Sequence, residues 1–292
     1  MVFFFDLVIG GLAIGACYAL VALAMVIIYK TSEVPNFAQG EMAMISAFVA
    51  YALIESYGVG FWTAAGLTLL FALCLGVVLE LAFLRPAKNP NILGLIVITL
   101  GAEMILYGLA GWKWGANQHP FPVPFSEYGG VTYADVIITE INIWTFVTSL
   151  VMMLLLFLFF RYTKLGTAMK AVQQNVFAAK AMGIPTRRIL TFTWGLSSVT
   201  GAVAGMLIAP IATLDPNMML DPLLKGFAGA VLGGMTSLPG AALGGYMLGL
   251  IENFFGGYVS LEFKSVVAFA VIVLVLCVKP SGLLVRHFER KV

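Results

Sequence analysis

The chain has 292 residues, 61% of them hydrophobic and only 10% charged. Soluble domains run nearer half apolar and a quarter charged, so this composition excludes an ordinary soluble domain and indicates an integral membrane protein. The formal charge of +2 says little about partners, and no nucleic-acid partner is expected.

A bilayer core of about 30 Å asks for roughly 20 apolar residues per helix. By that rule the sequence predicts spans near 3–29, 36–54, 61–84, 91–111, 142–160, 189–210 and 261–278. The opening "MVFFFDLVIGG" has no basic segment, and the first Lys is Lys30, so no cleavable signal peptide is expected. The stretch 223–256 is too long for one crossing. Pro239 and Gly240 in "TSLPG" are expected to break it into two Gly-rich segments, 223–236 and 240–256. Interrupted segments are tolerated where protein or a water-filled cavity covers the backbone, and they often mark a translocation path. The expected fold is an all-α polytopic transmembrane helical bundle. It has about eight to nine membrane segments, some discontinuous, in a single domain over 1–292.

Five glycine pairs are spaced four apart: Gly11/Gly15, Gly201/Gly205, Gly229/Gly233, Gly240/Gly244 and Gly245/Gly249. Small residues at that spacing let helices approach closely in lipid. Cys17, Cys74 and Cys277 each sit in an apolar run and read as buried thiols acting as small hydrophobes. His119 and His287, the two histidines, are expected on opposite sides, so neither a metal site nor any cofactor is expected.

Orientation follows from Lys and Arg. With the N-terminus outside and nine alternating crossings, the inside holds Lys30, Arg85, Lys88, Arg161, Lys164, Lys170, Lys180, Arg187, Arg188, Lys279, Arg286, Arg290 and Lys291. That is 13 of the 16 basic residues, with Lys113, Lys225 and Lys264 left at or near the outer side. The C-terminus is therefore expected in the cytoplasm. An external loop is expected over 112–141, stiffened by alternating prolines, and a cytoplasmic loop over 161–189.

The cytoplasmic loop contains "GTAMKAVQQNVFAAKAMGIP", which is far more polar than its flanks. Leu165, Met169, Val172, Val176 and Ala179 recur at helical spacing, Gly183 suits the position past a helix end, and Pro185 prevents continuation. The pattern predicts one helix of about 17 residues, roughly 25 Å long, with no evident partner in the bundle for its apolar stripe. Such a helix either lies on the inner leaflet with its lysines toward anionic lipid or sits in a groove of another protein.

Ionisable groups within spans are costly and are functional candidates or internally paired. Asn36, Gln39, Gly40 and Glu41 cluster after Pro35 and form one candidate pathway group. Thr99, Gly101 and Glu103 form another in the fourth span. Glu80, close to Arg85, reads as a structural pair. Lys225 reads as reaching the outer interface or pairing with Asp221 or Asp215, and Glu252 is left undecided. No nucleophile–base–acid constellation exists, and no Gly-Lys phosphate loop occurs, so no catalytic residue is expected on this chain.

"FAAKAMG" resembles the EAA-x3-G loop of ATP-binding-cassette (ABC) importer permeases, with Phe177 in place of the motif's Glu. The wider set Gly166, Ala171, Asn175, Ala178, Ala179, Gly183 and Ile184 is similar to the branched-chain amino-acid permease family. "VPNFAQGEMAMISAFVAY" resembles that family's "NFAHGE" segment, with Gln39 for His, and "FAGAVLGGMTSLPGAALGGYMLGLIE" also looks like it. The resemblance covers nearly the whole chain in order. It implies a multi-pass permease of a bacterial-type inner membrane, moving branched-chain amino acids or related small polar solutes inward by ATP-driven alternating access. It implies a coupling helix over the cytoplasmic motif, two ATPase subunits, a second permease chain, homologous or identical, and an external substrate-binding protein. The outer loops would dock that protein, with Asp215, Asp221 and the acids of 112–141 as the candidates. The rival from the residues is a secondary transporter or channel in which Glu41 or Glu103 carries a proton.

Overall fold

The computed structural model describes residues 2–87, 91–124, 129–133, 136–279 and 282–283. Its elements, in order, are α1 (Val2–Ser32), α2 (Gln39–Tyr51), α3 (Phe61–Leu79), α4 (Ile92–Trp114), β1 (Gly130–Tyr133), β2 (Val136–Thr139), α5 (Glu140–Tyr162), α6 (Lys164–Gln174), α7 (Val176–Ala181), α8 (Thr186–Ala212), α9 (Leu220–Gly233), α10 (Leu238–Tyr258) and α11 (Lys264–Val278). Helices α2 and α3 each run on into a wide π turn, Ala52–Ser56 and Glu80–Leu84. Among the described residues, five helices are long and apolar enough to cross a membrane: Val2–Ser32, Phe61–Leu84, Ile92–Trp114, Glu140–Tyr162 and Thr186–Ala212; α11 is a shorter apolar helix.

Helix α1 is apolar on every side and lies at the centre, packed by α10, α8, α9 and α5. A helix without a polar face needs cover all round, and this one has it. The α1–α10 crossing depends on missing side chains. A Cβ on Gly15 would lie 2.9 Å from Tyr246 Cα, and one on Gly245 would lie 2.5 Å from Ala19 Cα. Both obstacles are backbone, so neither can rotate away. Gly245→Val is therefore expected to destabilise by more than the ~1–3 kcal/mol of ordinary core overpacking, read as loss of folded, monodisperse protein in detergent. The recurrent four-residue glycine spacing is thus a packing device.

Helices α3, α4 and α5 form the rim. They present large apolar side chains outward, such as Leu70, Val97, Met104 and Leu154, a surface suited to lipid tails or an apolar partner chain. The ends of the helices fall into two sets. Phe3 meets Tyr258, and His119 pairs its backbone with Leu214, at one end. Arg85 meets Thr191, and Leu283 N donates to Leu232 O, at the other. This is the arrangement that alternating segments produce. Lys88, Arg286, His287, Arg290 and Lys291 lie outside the described residues.

Four expectations need correction. The break near residue 238 falls at Gly234–Ser237, with Gly234 at φ +100°, and Pro239 lies in the first turn of α10. Proline fits there because first-turn amides lack intrahelical acceptors. The 112–141 loop contains an antiparallel hairpin, Gly130 opposite Thr139 through Tyr133 opposite Val136, which the proline-led reading missed. Among the cysteines only Cys17 is buried; Cys74 and Cys277 face out from the bundle. The segment beginning at residue 36 does not start as a helix, because residues 33–38 turn back into the bundle. Val34, Asn36 and Ala38 are all buried.

Candidate functional site

The polar segment between α5 and α8 is two helices, not one. Asn175 sits at φ −160°, ψ 108° and ends α6 while starting α7: its backbone N donates to Ala171 O and its Oδ1 accepts from Ala178 N at 3.0 Å. An asparagine that can serve a helix start competes with helix continuation, which is why the expected 17-residue rod bends. Thr163 Oγ1 accepts from Gly166 N (2.9 Å) and starts α6. Gly183, at φ +81°, ends α7 with Gly183 N donating to Lys180 O and Ile184 N to Ala179 O, the left-handed stop expected of glycine.

The apolar stripe of this segment is covered by the chain itself, contrary to the expectation that it lacks a partner in the bundle. Met169, Val172 and Ala179 pack with Ile27, Leu156, Phe160 and Ile189. A Cβ on Gly166 would meet Phe160 Cα at 2.7 Å, so this glycine lets α6 lie against the end of α5. Ala171 is half-buried. The other side is open. Leu165 and Val176, expected in the stripe, are exposed, and Phe177 and Met182 stand 82% and 75% exposed beside exposed Ala178. The motif residues therefore divide into anchors (Gly166, Ala179), bend and stop (Asn175, Gly183), and an outward apolar knob (Phe177, Ala178).

The second group surrounds the start of α2. Gln39 Nε2 donates to Ser197 O (3.3 Å), Asn36 Nδ2 donates to Gln39 Oε1 (3.3 Å), and Asn36 Oδ1 accepts from Ala38 N (3.1 Å). Ser197 Oγ lies 2.7 Å from Ala24 O and 2.9 Å from Gln39 Oε1, so its one proton serves either acceptor. Gly201 leaves the room that the Gln39 amide occupies. Ala24 is eight residues before the end of α1 and Ser197 eleven after the start of α8, about 12 and 17 Å along those helices. Helix α2 thus begins inside the bundle. Non-helical backbone is tolerated at such depth only when its polar groups are satisfied, and Asn36 and Gln39 do this.

Gly40 faces Leu223 and Met219, which lets α2 approach α9. Glu41, in the first turn of α2, is buried, and its Oε2 has no hydrogen-bond partner among the described residues. Glu103 on α4 is close enough for the two charges to interact. Thr99 shares the inward face of α4 with Ala102 and Leu106, its hydroxyl donating to Ile96 O. Gly101 is exposed on the opposite face, with nothing within 4 Å of a Cβ there, and does not join Thr99 and Glu103. Glu41 thus presents one buried, orphaned carboxylate oxygen, able to accept a hydrogen bond from a cation such as a solute ammonium.

Glu80 pairs with Arg85 (3.6 Å), as expected, and accepts from Thr191 Oγ1 (2.7 Å). Lys225 does pair with Asp221, at 2.6 Å, and also with Glu252 at 2.6 Å, a buried partner that sequence reasoning left open. Ser197, the hub at the start of α2, was missed; its signal was the "SS" pair amid small residues in α8. His119 belongs to a clamp on the loop between α4 and α5, its ring 3.4 Å from the Tyr51 hydroxyl and against the ring of Tyr51.

The family described as "Branched-chain amino acid transport system / permease component" matches residues 7–276 of the chain. The chain is 30% identical to the high-affinity branched-chain amino acid transport system permease protein LivH of Escherichia coli, covering 99% of this chain and 98% of that one. It is 28% identical to the corresponding protein BraD of Pseudomonas aeruginosa, over 97% and 96%. A probable branched-chain amino acid transport permease protein LivH of Methanocaldococcus jannaschii is 27% identical, over 90% and 87%.

Proposed function

Because the chain belongs to the branched-chain amino acid transport permease family, we propose that it is the membrane permease subunit of an ABC importer, moving branched-chain amino acids or related small polar solutes inward. Hydrolysis of ATP occurs on two separate ATPase subunits, and the chain itself performs translocation only. A second permease chain, homologous or identical, completes the pathway, and an external binding protein delivers solute. Nine segments, α1 to α5 and α8 to α11, cross or enter an inner membrane. The N-terminus lies outside and the C-terminus in the cytoplasm.

The observation that carries this reading is the two-sided α6–α7 unit. Its inner face is packed on the ends of α1, α5 and α8, whereas Phe177 and Met182 project from the outer face. A unit built this way transfers a push from an outside partner to three helices of the bundle. Phe177, standing where the motif has Glu, makes the contact apolar. Collapsing the proton gradient with an uncoupler while ATP is preserved is expected to leave uptake intact, and ATP depletion to stop it. The opposite pattern would overturn the reading in favour of a proton-coupled carrier using Glu41 or Glu103.

For the pathway, Glu41 and Glu103 supply acceptors for the solute's ammonium, with Thr99 beside them. Asn36, Gln39 and Gly40 hold α2 in place to present Glu41. Glu41→Ala is expected to lower uptake about tenfold or more at equal expression, since charge-assisted hydrogen bonds contribute ~1.5–3 kcal/mol. Glu80→Ala should lower thermal stability instead, because it strands the partners Arg85 and Thr191. Uptake more impaired by the Glu80 change at matched expression would reverse this assignment.

A further inference from the structure

At the end of the bundle where α6 lies is a cavity of about 770 Å³ between α1, α5, α6 and the start of α10. Three cations line it: Lys30 from the last turn of α1, Arg161 from the last turn of α5, and Lys170 from α6. No carboxylate among the described residues lines it, and none of the three cations forms an ion pair with a described acid. Lys30 and Lys170 are close enough to repel each other. Like charges gathered without a counter-ion are unfavourable, and an anion between them would relieve the repulsion.

The walls are ordered. Lys30 and Arg161 sit at helix ends and Lys170 within α6, while Leu23, Met153 and Leu156 lie further along α1 and α5, with Phe157 and Leu243 completing the apolar sides. Lys30 Nζ is 6.0 Å from the Phe160 ring centre, and the Arg161 guanidinium is 5.6 Å from that of Phe157. Charge at the rim and hydrocarbon behind it is the layering of a bilayer leaflet. The first turn of α10 adds the positive end of a helix dipole, with Ser237 Oγ accepting from Gly240 N. The volume lies within the range of small-molecule sites, well beyond what a lone phosphate requires.

We propose that this cavity binds the phosphate of an anionic inner-leaflet phospholipid, its acyl chains running along α5 and α10. The lipid links α6 to the ends of α1 and α5, so the α6–α7 unit rests partly on the membrane as well as on protein. A docked acidic protein segment would meet the same cations but would find hydrocarbon walls behind them. The inference relies on the cytoplasmic placement of α6 proposed above.

Native mass spectrometry of the assembled, detergent-purified transporter tests it, titrating phosphatidylglycerol against phosphatidylcholine of identical chains. Phosphatidylglycerol should be retained preferentially. Each of Lys30→Gln, Arg161→Gln and Lys170→Gln should weaken it about fivefold, and the triple variant on the order of 100-fold, from the contribution of single cations near anionic lipid. Arg161 and Lys170 are exposed, so their single variants fold and report even if the triple variant does not. Lys164→Gln with Lys180→Gln, outside the cavity, should change nothing. Equal retention of both lipids, an unaffected triple variant, or displacement of the lipid by millimolar inorganic phosphate would overturn the proposal. Labelling of Lys170→Cys in sealed cells separates the two readings. Access only from outside overturns the sidedness and this site together, whereas access only from inside without lipid preference overturns the site alone.

Discussion

Replacing Phe177 and Met182 together by aspartate is expected to abolish ATP-driven uptake while leaving insertion and thermal stability near those of the unsubstituted chain. Both side chains already face outward, 82% and 75% exposed, so their removal takes no packing from the bundle. At a docking surface, buried apolar anchors cost ~2 kcal/mol or more each when lost. Two carboxylates forced into an apolar groove add desolvation to that. The expected weakening of ATPase docking is thus on the order of 1,000-fold, read as loss of co-purifying ATPase and of transport-stimulated hydrolysis. Normal uptake in the double variant would remove the docking assignment. Neighbouring positions are poorer reporters. Ala179 is buried against the bundle, so an acid there would damage folding first. Gly183 has φ +81°, so Gly183→Arg would combine docking with backbone strain of ~1–2 kcal/mol.

The second large effect concerns stability. Lys225 Nζ lies 2.6 Å from both Glu252 and Asp221, with the Lys225 and Glu252 side chains only 4% and 2% exposed. Removing one member of a buried pair costs ~3–5 kcal/mol because the other charge is left uncompensated. Lys225→Met should therefore lower the unfolding free energy by about that amount in mixed-micelle denaturation. Asp221 is more than half exposed and can keep its hydration, so Glu252 accounts for most of the loss. Lys225→Met combined with Glu252→Leu should recover much of it, since both buried charges then disappear. If the double variant is as unstable as the two single losses summed, the pair is not coupled and the explanation fails.

Much of the architecture was legible in the chain. Long apolar runs must become helices in lipid because no other local structure satisfies their backbone there, and this placed α1, α3, α4, α5 and α8 within a few residues. The glycine spacing signalled close helix approach, which α1 and α10 make, and the Gly183 stop was read correctly. Boundaries failed where local chemistry was ambiguous. The rule that proline breaks a helix misled at Pro239, because proline equally well begins one. Asn175 looked like one polar residue of a continuous helix, yet its side chain caps the next helix instead.

Composition and periodicity by themselves determined the class of the protein, the spacing of its segments and the place of its polar motif between α5 and α8. They do so because bilayer thickness and backbone hydrogen bonding act on each segment independently of its neighbours. Only the tertiary structure decided which side of α6–α7 is anchored and which projects, that Glu252 rather than Asp215 completes the Lys225 pair, that Gly101 points away from Glu103, and that Lys30, Arg161 and Lys170 share one cavity. Those facts depend on contacts between residues as far apart as Gln39 and Ser197. Such contacts are set by how whole helices pack, which no local window of the chain encodes.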